Sequence, residues 1–220
     1  MRFTQLMGFI FATLPALGGL SSAFALDWKK TTLAATTAPF QAEQQAVFEF
    51  TNHSAKAVAI RDIETSCSCL VAKSDQAIYP PGASGKITAN FTVGDRGGLY
   101  ERTVTVRTDE SDEPVHLVFK IEVPEVAVAT PRSVAWRLNE VPTEKNVDLT
   151  AAAGLEINFL NAQCTSDAYT VSLEAIEAGR LYRLHIKPNT TKSPASAAIR
   201  VIGREKSGHD VLLSAYASVQ

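Results

Sequence analysis

Apolar and polar residues alternate one by one through most of this chain. Phe48 and Phe50 flank Glu49. Ile87, Ala89, Phe91 and Val93 interleave with Lys86, Thr88, Asn90 and Thr92. Val104 and Val106 interleave with Thr103, Thr105 and Arg107, and Val115, Leu117, Phe119, Ile121 and Val123 with His116, Lys120 and Glu122. Successive side chains of an extended backbone point to opposite sides, so a period of two marks strands with one buried and one wet face. No stretch of any length carries the 3.6-residue period of an amphipathic helix. Turn formers separate the runs: Asn52-His53-Ser54, Pro80-Pro81-Gly82, Gly94-Asp95-Arg96-Gly97-Gly98 and the segment 109–114. Short strands with regular turns predict an all-β sandwich over residues 26–123.

One irregularity stands out. Val58 and Ile60 share one parity, whereas Ile63, Thr65, Cys67 and Cys69 share the other. A slip of one residue inside a strand predicts a β-bulge between Ile60 and Ile63. The pattern then returns. Ile60, Ile63, Cys67, Gly82 and Ile87 are echoed by Ile157, Leu160, Cys164, Gly179 and Leu184, each pair 97 residues apart. The second run holds further alternations: Val134, Trp136 and Leu138; Leu155, Ile157 and Phe159; Tyr182, Leu184 and Ile186; Ala197, Ile199 and Val201; and the odd-numbered residues from Val211 to Val219. Pro124-Glu125 reads as the junction. The expectation is two tandem immunoglobulin-like sandwiches, residues 26–123 and 124–220. The second is a diverged repeat that keeps one cysteine of the pair, in the place of Cys67, and has Ala178-Gly179 for Pro81-Gly82.

The first residues read as a leader. Met1-Arg2 precedes an apolar run from Leu6 to Leu20, and Ser21-Ser22-Ala23-Phe24-Ala25 supplies a small-x-small cleavage site. The run is interrupted by Pro15, Gly18 and Gly19, and is shorter than the ~20 apolar residues a spanning helix needs. The reading is a signal peptide over residues 1–25 cut after Ala25. It implies a periplasmic or extracellular protein with no membrane span in its mature form. No cysteine lies beside the cut to take a lipid. Losing Arg2 leaves 20 basic against 23 acidic residues, a formal charge of −3. A chain so close to neutral has no global basic field for nucleic acid or anionic lipid.

The first half resembles the bacterial domain-of-unknown-function family numbered 1573. The residues that carry the likeness are Phe48-Glu49-Phe50-Thr51-Asn52, Ile60-Arg61-Asp62-Ile63, Ser66-Cys67-Ser68-Cys69, Ile78-Tyr79-Pro80-Pro81-Gly82, Gly85-Lys86-Ile87 and Val104-Thr105-Val106-Arg107-Thr108. The likeness spans residues 46–123. It implies an exported, immunoglobulin-like sandwich similar to those of pilus chaperones and major sperm protein, and brings no agreed activity. Leu70 stands where that family often has Thr after the second cysteine.

The chain has three cysteines, so at least one lacks an intramolecular partner. In an ideal strand Cys67 and Cys69 would lie on one face with Cα atoms roughly 6.6 Å apart, near the outer limit for a disulfide. Four readings compete: a tight structural disulfide favoured by an oxidising compartment, two small buried hydrophobes, a thiol-redox pair with Lys73 lowering a thiol pKa, or a Cu(I) or zinc site. A closed zinc site needs about four ligands. Only His53 and His116 suggest themselves as additions.

Elsewhere the sequence carries no nucleophile elbow, zinc-protease helix motif or dinucleotide fingerprint. Asp109, Glu110, Asp112 and Glu113 read as a solvated acidic turn rather than a calcium loop. His185 and His209 are single surface histidines. Asn90 and Asn189 head glycosylation triplets without biological force, and Trp28 and Trp136 read as core anchors. The expected protein is a non-enzymatic structural or protein-binding module with no cofactor, whose partner is another exported or cell-surface protein. The alternative is a thiol-redox or copper-binding protein using Cys67 and Cys69.

Overall fold

The computed structural model describes residues 25–220, all of it strand, turn and loop. Of the expected leader only Ala25 falls within the described residues. Its N–H donates to the Glu110 carboxylate at 3.0 Å.

The alternations become strands, and seven further strands that the pattern did not mark join them. In the first half these are β1 (Leu26–Trp28), β2 (Thr32–Thr36), β3 (Glu43–Asn52), β4 (Val58–Thr65), β5 (Leu70–Ser74), β6 (Ile78–Tyr79), β7 (Ser84–Thr92), β8 (Gly98–Thr108) and β9 (Val115–Val123). They form two sheets, ordered β1-β3-β7-β5 and β2-β9-β8-β4-β6. This is the immunoglobulin arrangement, A-B-E-D on one layer and G-F-C on the other, with β2 added in parallel to β9. The inward parity of each strand forms the core: Phe48, Phe50, Ile87, Phe91, Leu117 and Phe119 are all buried. Burial of each large apolar side chain contributes roughly 2–3 kcal/mol.

The second half contains β10 (Ala127–Thr130), β11 (Ser133–Trp136), β12 (Lys145–Ala151), β13 (Ile157–Cys164), β14 (Tyr169–Glu177), β15 (Leu181–Pro188), β16 (Ala195–Glu205) and β17 (Asp210–Val219). Its sheets are β10-β12-β15-β14 and β11-β17-β16-β13. The topology is that of the first half without an equivalent of β6, and again one short edge strand, β11, runs parallel to its neighbour. A separate core forms around Trp136, Leu149, Ile157, Leu184 and Ile199. Trp136 anchors it as expected, with its indole N–H donating to Thr143 O at 2.8 Å. Leu138, assigned to the same alternation, lies outside β11 and is exposed. Trp28 is only half-buried, tilted against Phe50 at 4.6 Å between ring centroids.

The repeat is real in topology, but its spacing is not uniform. The bulge in the first half skips Arg61, between Ile60 and Asp62. The bulge in the second skips Leu160, between Phe159 and Asn161. Those positions are 99 apart, as are Val58 and Ile157, which open β4 and β13, and Thr65 and Cys164, which close them. Gly82 and Gly179, both at positive φ, keep the spacing of 97. The two-residue difference arises between β5 and β7, where the first half makes β6 and the second turns directly from β14 into β15. Cys164 is therefore the counterpart of Thr65, not of Cys67. Ser166 and Ala168 stand where the first half has its cysteines.

Candidate functional site

Three places concentrate chemistry. The first is the Cys67–Cys69 turn. The strand parity that the sequence carries on through both cysteines stops at Thr65, because here the chain leaves one sheet for the other. Ser66 anchors the exit twice: its N–H donates to Thr103 O, and its hydroxyl accepts from Thr103 N–H, both at 3.0 Å. The Cys67 carbonyl accepts from Thr65 Oγ1 at 3.2 Å and from Leu70 N–H at 3.3 Å. Thr92 N–H ties down Cys69 O at 2.8 Å. This turn brings the Cα atoms to 5.2 Å, closer than an ideal strand would, and the two sulfurs are bonded. Both residues are half-buried against the first core. Cys164 is the remaining free thiol, half-buried at the end of β13.

Of the residues expected to assist the pair, the two histidines have other partners and Lys73 is distant. Lys73 lies four residues beyond Cys69 along β5, ~13 Å away by strand rise. His53 sits 3.6 Å from the Asp27 carboxylate. His116 shares a hydrogen bond with Thr105 Oγ1 at 3.2 Å. In the acidic turn, Asp109 accepts from Ala59 N–H at 2.8 Å while Glu110 takes the Ala25 N–H. Among the described residues no three His, Cys, Asp or Glu side chains are placed to hold a metal ion.

The second place is a cleft of about 500 Å³ between the halves, which sequence reasoning missed. Val93, Val123 and Val126 meet Ile202 and Leu212 along it, and Asp95, Arg96, Arg200, His209 and Asp210 supply its charge. Arg204 already engages Asp210 at 2.9 Å. Arg96 and Arg200 have no ion-pair partner among the described residues. Phe40 closes one side. It reaches from the β2–β3 loop to pack against the second core, its ring 4.6 Å from that of His209 with the planes 3° apart. Phe40 holds a φ of 62°, a conformation that costs a non-glycine residue roughly 1–3 kcal/mol and persists only where surrounding contacts impose it. Gln41 braces the loop, accepting from Ala38 N–H and donating to Glu43 O. On the other side Gly97 passes so close to the junction that a methyl group there would lie 2.7 Å from the Glu125 Cα. The one sequence signal was an isolated aromatic residue in a polar loop.

The third place is a charged ladder on the outer face of the second half. The His185 ring lies between Glu144, 2.7 Å from Nδ1, and Glu174, 3.0 Å from Nε2. Arg183 pairs with Asp148 on the same face at 2.8 Å. The hydrogen bond to Glu144, reinforced by Glu174, raises the His185 pKa above its ordinary value against the opposing effect of burial.

A comparison of families picks out the first of the two halves. Residues 26–123 match the family described as Protein of unknown function (DUF1573). The DUF1573 match ends where β9 ends and leaves the second half unassigned. No curated protein matches the chain. Among solved structures, a protein of unknown function from Porphyromonas gingivalis W83 is 11% identical, over 90% of this chain and 100% of that one, with a TM-score of 0.36. The YadV chaperone is 9% identical, over 88% and 100%, with a TM-score of 0.32. The secreted serine protease VesC from Vibrio cholerae is 9% identical, over 87% and 50%, with a TM-score of 0.36. At these scores the likenesses carry no functional argument. No described helix is long and apolar enough to cross a membrane.

Proposed function

We propose that this chain is an exported, non-enzymatic binding module that holds a segment of another exported or cell-surface protein in the cleft between its halves. The observation that supports this reading is the cleft itself. Its apolar floor is drawn from both halves, its two arginines lack ion-pair partners, and the Phe40–His209 stack braces its width. Such a concave, mostly apolar site with a few polar groups is the usual form of a recognition site. A photo-crosslinking residue placed at Leu212, inside the cleft, should capture a discrete partner in the compartment where the protein accumulates. The same probe at Val47, on an outer sheet face, should not. Equal labelling from both positions would sink the reading.

A second reading is favoured by the bonded, half-buried cysteines in a turn: the pair oxidises dithiols in client proteins. A client thiolate attacks one sulfur, a mixed disulfide forms, and the other cysteine leaves as a thiolate. A second client thiolate then displaces the first cysteine, so the client gains the disulfide and the pair is reduced. Only this reduced state would offer two thiolates to Cu(I). A dithiol peptide mixed with the protein should emerge oxidised as the protein gains two hydrogens in mass. Exchange no faster than with a small-molecule disulfide would remove this reading.

A further inference from the structure

The two halves differ in how they treat an exposed sheet edge. In the first, β5 keeps only five residues at its edge before the chain crosses to pair β6 with β4. In the second, the chain stays at the edge for all nine residues of β14, paired only with β15. The bond from Asn189 N–H to Ala168 O sets the phase of that ladder. Residues 168, 170, 172 and 174 bond to β15, so Tyr169, Val171, Leu173 and Ala175 direct their N–H and C=O groups outward. No other backbone hydrogen bond of the described residues reaches these four.

Exposed edges usually carry lysine, proline or an early bulge that blocks a further strand. β14 has none of these until the irregularity between Ala175 and Glu177. Glu174, its one charge before that point, is occupied by His185 in its own sheet. Val171 and Leu173 meanwhile form a half-buried margin of the second core.

We infer that β14 is a pairing edge through which two copies of this chain join antiparallel about a two-fold axis at Ser172. The argument for a second copy is self-complementarity. With Ser172 opposite itself, Val171 faces Leu173 of the other copy and Tyr169 faces Ala175. The apolar margins then cover each other. On the outer face Glu174 meets Thr170 rather than another acid. The bulge keeps Glu177 outside the paired stretch. Neither the cleft nor the cysteine turn uses β14, so this inference stands or falls apart from both functional readings.

Sedimentation equilibrium of the full mature chain should find a reversible dimer in the micromolar range. Ser172→Lys sets two lysines directly opposite each other only in the dimer; measured well above the His185 titration, where the facing imidazole is neutral, it isolates that contact. It should weaken association about tenfold or more while leaving thermal unfolding of the monomer unchanged. Val171→Pro removes an N–H that faces away from β15 and should act likewise. With Cys164→Ser as background, Ser172→Cys should oxidise to a covalent dimer, because opposed Cα atoms at a non-hydrogen-bonded site lie about 4.5 Å apart, within disulfide reach. A wild-type monomer throughout that range would overturn the inference. So would a dimer indifferent to Ser172→Lys, which would point to another surface.

Discussion

Asn52 is fully buried, and every hydrogen-bonding group of its side chain is used. Nδ2 donates to Lys56 O and Tyr79 O, each at 2.8 Å, while Oδ1 accepts from Ser54 N–H at 2.9 Å and Ser54 Oγ at 2.8 Å. Read as a turn former, this residue proves to be the polar pin between the β3–β4 turn and β6. Asn52→Ala would take the side-chain donor from the buried Tyr79 carbonyl, while Lys56 O keeps its bond from Ser54 Oγ, and should cost about 2 kcal/mol, measurable by urea unfolding. His185 makes a prediction about pH. Its folded pKa is raised, so its contribution to stability is complete below the ordinary imidazole value of 6.5 and is lost as pH rises through the folded value. Wild type should therefore lose stability above 6.5 relative to His185→Ala, which lacks this titration. Parallel unfolding curves for the two proteins across that range would refute the linkage. The sequence showed this histidine only as a lone ring on a wet face. Glu144 and Glu174 are 41 and 11 residues away and meet it only through the sheet.

At the scale of elements, the two-residue period marked ten of the seventeen strands because burial of one face dictates it, and left β1, β2, β5, β6, β10, β12 and β14 unread. The errors lie where the chain changes sheet. The parity of Cys67 and Cys69 matched a continued β4, yet the Ser66–Thr103 bonds turn the chain there. Counted by identical letters, Cys164 matched Cys67; counted by hydrogen-bonded register it matches Thr65. The disulfide closes a three-residue loop and constrains the unfolded chain little. The double variant Cys67→Ser/Cys69→Ser should lose only about 1.5 kcal/mol by the loop-entropy relation. Chemical denaturation of the reduced and oxidised protein checks this. A far larger loss would mean the turn organises the core. Gly85 belongs to the same scale. A methyl there would overlap the Tyr79 ring and come within 2.6 Å of Phe50, in an aromatic cluster with no room to yield. Gly85→Ala should lower stability by about 1–3 kcal/mol, read as a fall in the melting temperature.

For the whole molecule, the decisive contact is Phe40. Each half has its own core, and Phe40 is the partly buried residue of the first that packs against the second. Phe40→Ala should leave both halves folded but separate their unfolding into two transitions and broaden the particle in solution scattering. One unchanged cooperative transition with an unchanged scattering profile would show that other contacts hold the halves. The sequence alone determined the strand class, the inward face of the ten strands it marked and the likeness of residues 46–123 to DUF1573, because alternation and turn chemistry are local and each of those strands must bury one side. Tertiary structure decided the rest: the closed cysteine turn, the His185 clamp, the cleft and the bare edge of β14. Each depends on which residues distant in the chain become neighbours across a ladder or a junction, and a local period of two contains no record of that pairing.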